Sequence, residues 1–159
     1  MGVGIAGVRH IKLPVTDLER SVVWYRELLD LELWMEFVEG SELRGASLMD
    51  TDAGFMIALR LREHCASRPD LAGVDPVAFN LRSREILDVL VERAERLGTQ
   101  HSGVREQGNF GASLDVLDPD STHIRFIWVG PEHPTGFVGT VFGEDGRMSF
   151  YDTPRLTPG

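Results

Sequence analysis

The chain contains a repeated unit, and the repeat limits the folds that it can adopt. One copy starts at His10 with a short apolar strand and a polar capping residue, and a helical stretch follows at residues 18–30. The second copy starts at Pro76 in the same way and continues into a helix at residues 84–97. Repeats of this length predict two copies of one supersecondary unit that share a core. The copies differ in chemistry, because His10 is a good metal ligand and Pro76 cannot bind a metal.

Hydrophobic alternation predicts the strands of each unit. The first strands are predicted at 8–15 and 77–81. Three further strands follow each helix, at 31–38, 43–49 and 55–61 in the first unit and at 99–105, 112–117 and 123–129 in the second. Each unit is therefore βαβββ. We predict an α+β fold in which two tandem modules form a curved mixed sheet around a ligand cleft.

The same pattern predicts how the chain is divided. We expect a first module over residues 1–62, a linker over 63–74, a second module over 75–130 and a C-terminal extension over 131–159. All four parts belong to one compact domain. The extension has no counterpart in the first module, and its apolar stretches flank a Gly-rich turn that predicts a hairpin. We expect deletion of residues after Gly130 to weaken ligand binding or dimerisation.

Composition excludes several classes of function. The formal net charge is −9 and no basic stripe is present, so we expect no nucleic-acid partner. No apolar run reaches membrane-spanning length, and residues 1–7 do not have the form of a signal peptide, so we expect no membrane partner. Cys65 is the only cysteine, which excludes an internal disulfide and fits a cytoplasmic location.

Three segments together resemble the vicinal oxygen chelate superfamily, which includes glyoxalase I, extradiol dioxygenases, fosfomycin-resistance enzymes and bleomycin-resistance proteins. They are the strand and cap at residues 10–17, the helix end at residues 24–31, and Asp118-Pro119-Asp120 before the last strand. The resemblance covers roughly residues 8–129. It implies the paired-module fold, and it implies homodimerisation, which is frequent in this superfamily. It does not select one activity, because the fold hosts many.

The resemblance also implies where a metal would bind. Metal-using members take ligands from four strand positions, and here these positions hold His10, Ile57 or Ala58, Pro76 and Arg125. Only His10 can ligate, whereas zinc and non-haem iron sites use three protein ligands or more. Arg125 also adds a positive charge where the metal would lie. We therefore favour no metal cofactor, with a divalent metal bound by His10, supplemented by His123, as the alternative.

Strand alternation predicts which side chains face the cleft. These are His10, Lys12, Asn80, His123 and Arg125. Such a donor-rich cleft would favour an anionic or phenolic ligand, with Arg125 making a bidentate contact. Equally, Arg125 could form an ion pair with a carboxylate of the protein. The three tryptophans are expected in the core or at a dimer interface.

The leading hypothesis is a metal-independent protein that binds a small molecule, similar to the bleomycin-resistance type, and sequesters an acidic or phenolic aromatic compound. Whether the chain is an enzyme stays open. One alternative is a metal-free isomerase, lyase or cyclase that uses His10 or His123 as an acid–base catalyst. Another is a metal-dependent glyoxalase or dioxygenase with His10 as a ligand.

Overall fold

A computed structural model describes residues 2–145 and 147–156, and its first module has the predicted βαβββ order. The elements are β1 (Ile11–Val15), α1 (Leu18–Leu29), β2 (Glu32–Glu39), β3 (Glu42–Asp50) and β4 (Phe55–Leu61). The first strand begins three residues later than predicted, at Ile11, so His10 precedes the strand. A 3₁₀ turn at Arg62–His64 leads into the connection to the second module.

The second module repeats this order. Its elements are β5 (Val77–Asn80), α2 (Glu85–Arg96), β6 (Arg105–Glu106), β7 (Gly111–Leu117) and β8 (His123–Val129). A 3₁₀ turn at Gly108–Phe110 joins β6 to β7. Each module forms its own four-stranded sheet, in the orders β1-β4-β3-β2 and β5-β8-β7-β6. The first and last strands of each module are parallel and the other pairs are antiparallel. The predicted α+β fold of two βαβββ modules is therefore confirmed.

The strand predicted at 99–105 is wrong in extent. Only Arg105–Glu106 is a strand, and His101 forms an isolated bridge with Val116. The chain turns at Gly103, whose φ is +68°, a value that an extended strand cannot have. Around the bridge, the Ser102 amide donates to the Asp115 carbonyl and the Leu117 amide to the Gln100 carbonyl, both at 2.9 Å. At the turn, His101 Nδ1 accepts from the Gly103 amide at 3.1 Å.

Local capping explains where the helices begin and end. The Asp17 carboxylate accepts a hydrogen bond from the Arg20 amide at 3.0 Å, which caps the first turn of α1. Helix α1 ends at Asp30, which has left-handed φ and ψ angles of 59° and 43°. Helix α2 is followed by Gly98, with φ of +64°, as predicted for a glycine after a helix end.

The two modules share one hydrophobic core. The helices pack on the convex faces of the sheets, and the core cluster contains Tyr25 and Leu28 from α1 together with Leu87 and Leu90 from α2. The rings of Phe55 and Phe79, one from each module, have centroids 5.0 Å apart. The modules therefore fold as one unit and leave the concave face of each sheet free.

Polar contacts also join the modules, and they involve the Asp118-Pro119-Asp120 turn. The buried Tyr25 hydroxyl donates to the Asp118 carboxylate at 2.8 Å. Asp120 accepts from both the amide and the hydroxyl of Thr16. Burial raises the pKa of the Asp118 carboxyl, and burial together with the Asp118 charge raises the pKa of Tyr25. This motif therefore holds the modules together.

The C-terminal extension contains the predicted hairpin, formed by β9 (Gly139–Phe142) and β10 (Met148–Tyr151). The Tyr151 ring lies directly across Gly139, where a Cβ would collide with it. Several apolar side chains of the hairpin are exposed, including Phe142 at 73%. Within the described residues, no helix is both long enough and apolar enough to cross a lipid bilayer.

Candidate functional site

A cavity of about 290 Å³ lies on the concave face of the first sheet. All four strands and the residues just before β1 contribute to its walls. Its volume is at the lower end of the range for small-molecule sites. The cavity therefore suits a compact organic molecule.

One row of residues crosses the floor of this cavity from strand to strand. Lys12 pairs with Ala58, Ala58 pairs with Ser47, and Ser47 pairs with Met35. Paired residues in a sheet point to the same face. The register also distinguishes Ile57 from Ala58 at the metal-ligand position on β4. Ala58 lines the cavity, whereas Ile57 is fully buried in the core.

Small side chains create the depth of the cavity. Ala58 and Ser47 rise only one or two atoms above the sheet, and Gly45 contributes no side chain. A Cβ at Gly45 would lie 2.8 Å from the Leu59 carbonyl oxygen, so a larger residue would require the backbone to move. The three residues leave open space above β3 and β4.

The β2 strand supplies an apolar wall of Trp34, Met35 and Phe37. The register of β2 against β3 shifts between Leu33 and Met35, which leaves Trp34 outside the regular pairing. This irregularity explains why two successive residues, Trp34 and Met35, both line the cavity. Trp24 is in the core, whereas Trp34 is 55% exposed in the single chain, so for Trp34 the dimer-interface alternative stays a prediction.

The mouth of the cavity carries positive charge. The exposed Arg9 and Lys12 line it beside His10, and no carboxylate among the described residues lies within ion-pair distance of the Arg9 or Lys12 side chain. Arg60 also lines the cavity, but Glu39 neutralises it through bonds of 2.7 and 3.2 Å. The hydrogen bond from Arg60 lowers the pKa of Glu39. The cavity is thus cationic in a chain of net charge −9.

The equivalent position of the second sheet is filled by an ion-pair network. Arg125 occupies the position of Ala58, because it pairs with the first strand of its module at Ala78 as Ala58 does at Lys12. Asp115, the partner of Arg125 on β7, occupies the position of Ser47. Arg125 bonds Asp115 through Nε at 2.7 Å and Nη2 at 3.2 Å, and it bonds Asp75 at 2.6 Å.

Asp115 has a second cationic partner, Arg105, at 2.6 Å. Burial alone raises the pKa of Asp115, but the hydrogen bonds and charges of Arg125 and Arg105 outweigh burial, and the pKa lies below its ordinary value. Arg125 is therefore already ion-paired within the protein, and its guanidinium contributes little free positive charge to a ligand.

The five residues predicted for the cleft fall into two groups. His10 and Lys12 line the cavity of the first sheet. His123 lines a second, more open depression of about 570 Å³ on the second sheet, together with His101, Arg105 and Asp115. Asn80 and Arg125 also lie on the second sheet, on the face that strand alternation assigns to His123. A role of the five residues in ligand binding stays a prediction.

Sequence reasoning missed several cavity residues, namely Arg9, Trp34, Met35, Phe37 and Ser47. Alternation along β3 places Gly45, Ser47 and Met49 on one face, and the small size of Gly45 and Ser47 could have indicated a cavity on that face. The irregular pairing of Trp34 and the position of Arg9 before β1 leave no periodic signal.

The residues at the four family positions do not fit a metal ion. They are His10, Ala58, Pro76 and Arg125, and the last three offer a methyl group, a pyrrolidine ring and a cation. Residues 2–145 and 147–156 contain no group of three or more His, Cys, Asp or Glu side chains arranged to hold a metal. His123, proposed as a compensating ligand, begins β8 of the second sheet, whereas His10 immediately precedes β1 of the first.

Comparison with known proteins identifies the family. Residues 7–126 match the family described as the Glyoxalase/Bleomycin resistance protein/Dioxygenase superfamily. No protein of curated function matches the chain.

Three solved structures illustrate the similarity of fold. A glyoxylase/bleomycin resistance protein/dioxygenase domain from Frankia sp. EAN1pec is 27% identical with a TM-score of 0.65, over 79% of this chain and 99% of that one. The fosfomycin resistance protein FosX from Listeria monocytogenes is 22% identical with a TM-score of 0.63, over 81% and 98%. The antibiotic binding protein TnmS3 from Streptomyces sp. CB03234 is 18% identical with a TM-score of 0.62, over 81% and 100%. From its fold and this match over most of its length, the chain belongs to the Glyoxalase/Bleomycin resistance protein/Dioxygenase superfamily.

Proposed function

We propose that this protein binds an acidic or phenolic aromatic small molecule in the cavity of the first sheet, without a metal, and sequesters it. One observation carries the proposal: the same cavity has an apolar wall, formed by Trp34 and Phe37, and a cationic mouth, formed by Lys12 and Arg9. An aromatic ring would pack against the wall and its carboxylate or phenolate would meet the cations. The antibiotic binding protein TnmS3 shares this fold and supports a binding role.

The test is calorimetric titration of chelator-treated protein with benzoate and with benzamide, which has the same ring without the charge. We expect benzoate to bind more tightly than benzamide, and the difference to shrink in Lys12→Gln. Arg155→Gln, outside the cavity, is the matched control and should keep the difference. Equal affinity of the wild type for both compounds, or binding of neither, would refute the proposal.

A second candidate function is metal-free acid–base catalysis. The observation that favours it is that His10 and Lys12 line the same cavity. A neutral imidazole at His10 would take a proton from a bound substrate, and the Lys12 ammonium would stabilise the oxyanion that forms. His123 lies on the other sheet and is the weaker candidate. Conversion of a bound aromatic acid that stops in His10→Ala would favour this function over sequestration.

We also propose that the protein is a homodimer. All residues of β2 are exposed, and both of its faces carry apolar side chains, including Trp34 and Val38. An exposed apolar edge strand favours association with another chain. Light scattering coupled to size-exclusion chromatography should give twice the chain mass of 17.7 kDa. A mass of one chain at micromolar concentration would contradict this proposal.

A further inference from the structure

The hydroxyl of Ser47 at the floor of the cavity has no assigned role, although its side chain faces the cavity. Ser47 is only 5% exposed and lines the cavity at the centre of β3. Among the residues that the structure describes, none forms a hydrogen bond with this hydroxyl. The residue is buried but its hydroxyl opens on the cavity, where a bound ligand or water can become its hydrogen-bond partner.

The internal repeat gives an independent comparison for Ser47. The equivalent residue of the second sheet is Asp115, which is also polar and buried but is bonded by Arg105 and Arg125. Both modules thus place a polar side chain at the same register position. In the second module the protein itself supplies the partners, whereas in the first the polar atom faces an open cavity.

The geometry of the sheet relates Ser47 to the cationic mouth. Lys12, Ala58 and Ser47 are paired across three neighbouring strands. Neighbouring strands lie about 4.8 Å apart, so the backbones of Lys12 and Ser47 are separated by about 10 Å. The residue between them, Ala58, offers only a methyl group, which leaves room for a flat ring above it.

We propose that Ser47 determines specificity by hydrogen bonding a polar group at the end of the ligand opposite its acidic group. The ligand class is then an aromatic acid with a hydroxyl or carbonyl oxygen across the ring from the carboxylate. Ser47 can both donate and accept, so it serves either group. This inference rests on the proposed binding of aromatic acids in the same cavity, and it adds the second recognition point.

The test compares benzoate, 4-methylbenzoate and 4-hydroxybenzoate by calorimetry on the wild type and on Ser47→Ala. We expect the wild type to prefer 4-hydroxybenzoate over 4-methylbenzoate by roughly three- to tenfold, the value of one net hydrogen bond. Ser47→Ala should lose this preference for the hydroxylated acid. The matched control is Ser113→Ala on β7, outside the cavity, and it should keep the preference.

The outcomes separate this inference from the proposed function. Binding of benzoate without a preference for 4-hydroxybenzoate, or a preference that survives in Ser47→Ala, overturns the role of Ser47 and leaves the proposed function intact. Failure of all three acids to bind the wild type overturns the proposed function, and the inference with it. Ser47→Thr, which retains a hydroxyl, should keep part of the preference for the hydroxylated acid.

Discussion

The Tyr25 hydroxyl donates a 2.8 Å hydrogen bond to the Asp118 carboxylate and thereby ties the helix of the first module to the last turn of the second. Asp118 also accepts from the amides of Asp120 and Thr122, at 2.9 and 2.8 Å. The Asp118 side chain therefore shapes the turn and also accepts the hydrogen bond from the first module. Helix α1 and strand β8 are held in a fixed relation as a result.

Removal of this hydroxyl is expected to destabilise the whole domain. Tyr25→Phe keeps the buried ring and leaves Asp118 without one of its donors. We expect the free energy of unfolding to fall by about 1.5 to 3 kcal/mol, the usual value for a hydrogen bond to a charged group. Urea denaturation measures it, with Tyr151→Phe in the hairpin as the control. Equal stability of Tyr25→Phe and the control would show that the contact does not join the modules.

The Asp115 network predicts a defined dependence of stability on pH. Because the pKa of Asp115 is lowered in the folded protein, its contribution is present above the ordinary carboxyl value of about 3.9 and is lost as pH falls through the lowered pKa. At pH 6, Asp115→Asn should be less stable than the wild type by about 1 to 3 kcal/mol, allowing for the exposure of both arginines.

This stability difference should begin to narrow as the pH falls below about 4, because the Asp115 carboxyl of the unfolded wild type is protonated there, and it should be lost only as the pH falls through the lowered pKa of the folded protein. Urea denaturation at each pH measures it. Asp52→Asn, an exposed substitution in the β3–β4 turn, should give no comparable gap at any pH. A gap for Asp115→Asn that stays constant down to pH 3 would contradict the lowered pKa.

Filling the cavity is expected to abolish binding without unfolding the protein. Ala58→Leu places three more carbon atoms above the floor, where the ring of the ligand would lie. We expect the affinity for benzoate to fall at least tenfold, with little change in melting temperature because the added atoms enter open space. The control is Ala78→Leu, an exposed position of the second sheet. Undiminished binding in Ala58→Leu would place the ligand elsewhere.

The residues at the family metal positions predict weak metal binding. Protein treated with a chelator and then dialysed against zinc, nickel, manganese or iron should retain well under one ion per chain, because His10 alone is a poor site. Elemental analysis measures the content, and the melting temperature gives a second readout. One tightly held ion per chain, with a clear rise in melting temperature, would contradict this prediction and favour a metal-dependent function.

The C-terminal hairpin is expected to contribute to dimerisation or to ligand binding. A two-stranded hairpin is marginally stable by itself, and this one leaves Val141 and Phe142 exposed. Deletion from Phe137 onward should lower either the dimer fraction or the affinity for benzoate. Light scattering and calorimetry give the two readouts. A shortened protein that matches the full chain in both would remove any such role for the hairpin.

The fold followed from the sequence because its signals are local and repeated. Strand β4, residues 55–61, and strand β8, residues 123–129, begin and end where alternation predicts. The strand predicted at 99–105 is interrupted because the chain turns at Gly103, whose amide donates to His101 Nδ1 and not to a neighbouring strand. Such a turn depends on the tertiary position of the segment and leaves no periodicity.

The candidate site was predictable only in part. His10 and Lys12 line the cavity, and their role in binding stays a prediction, whereas alternation could not show that Asp115 and Asp75 would neutralise Arg125. The contact between Arg125 and Asp115 depends on the β7–β8 register, which a single sequence does not specify. The alternative that Arg125 pairs with a carboxylate of the protein is the one that the structure supports.

Protection of Lys12 from chemical labelling tests the central claim most directly. Lys12 is the only lysine of the chain, so an amine-reactive reagent modifies one side chain in addition to the terminal amine. Chelator-treated protein would be labelled with and without 4-hydroxybenzoate and measured by peptide mass spectrometry. We predict that the acid slows labelling of Lys12 and leaves labelling of the terminal amine unchanged, whereas 4-hydroxybenzamide protects far less. Labelling of Lys12 at the same rate with and without the acid, at a concentration that saturates calorimetric binding, would contradict binding in this cavity.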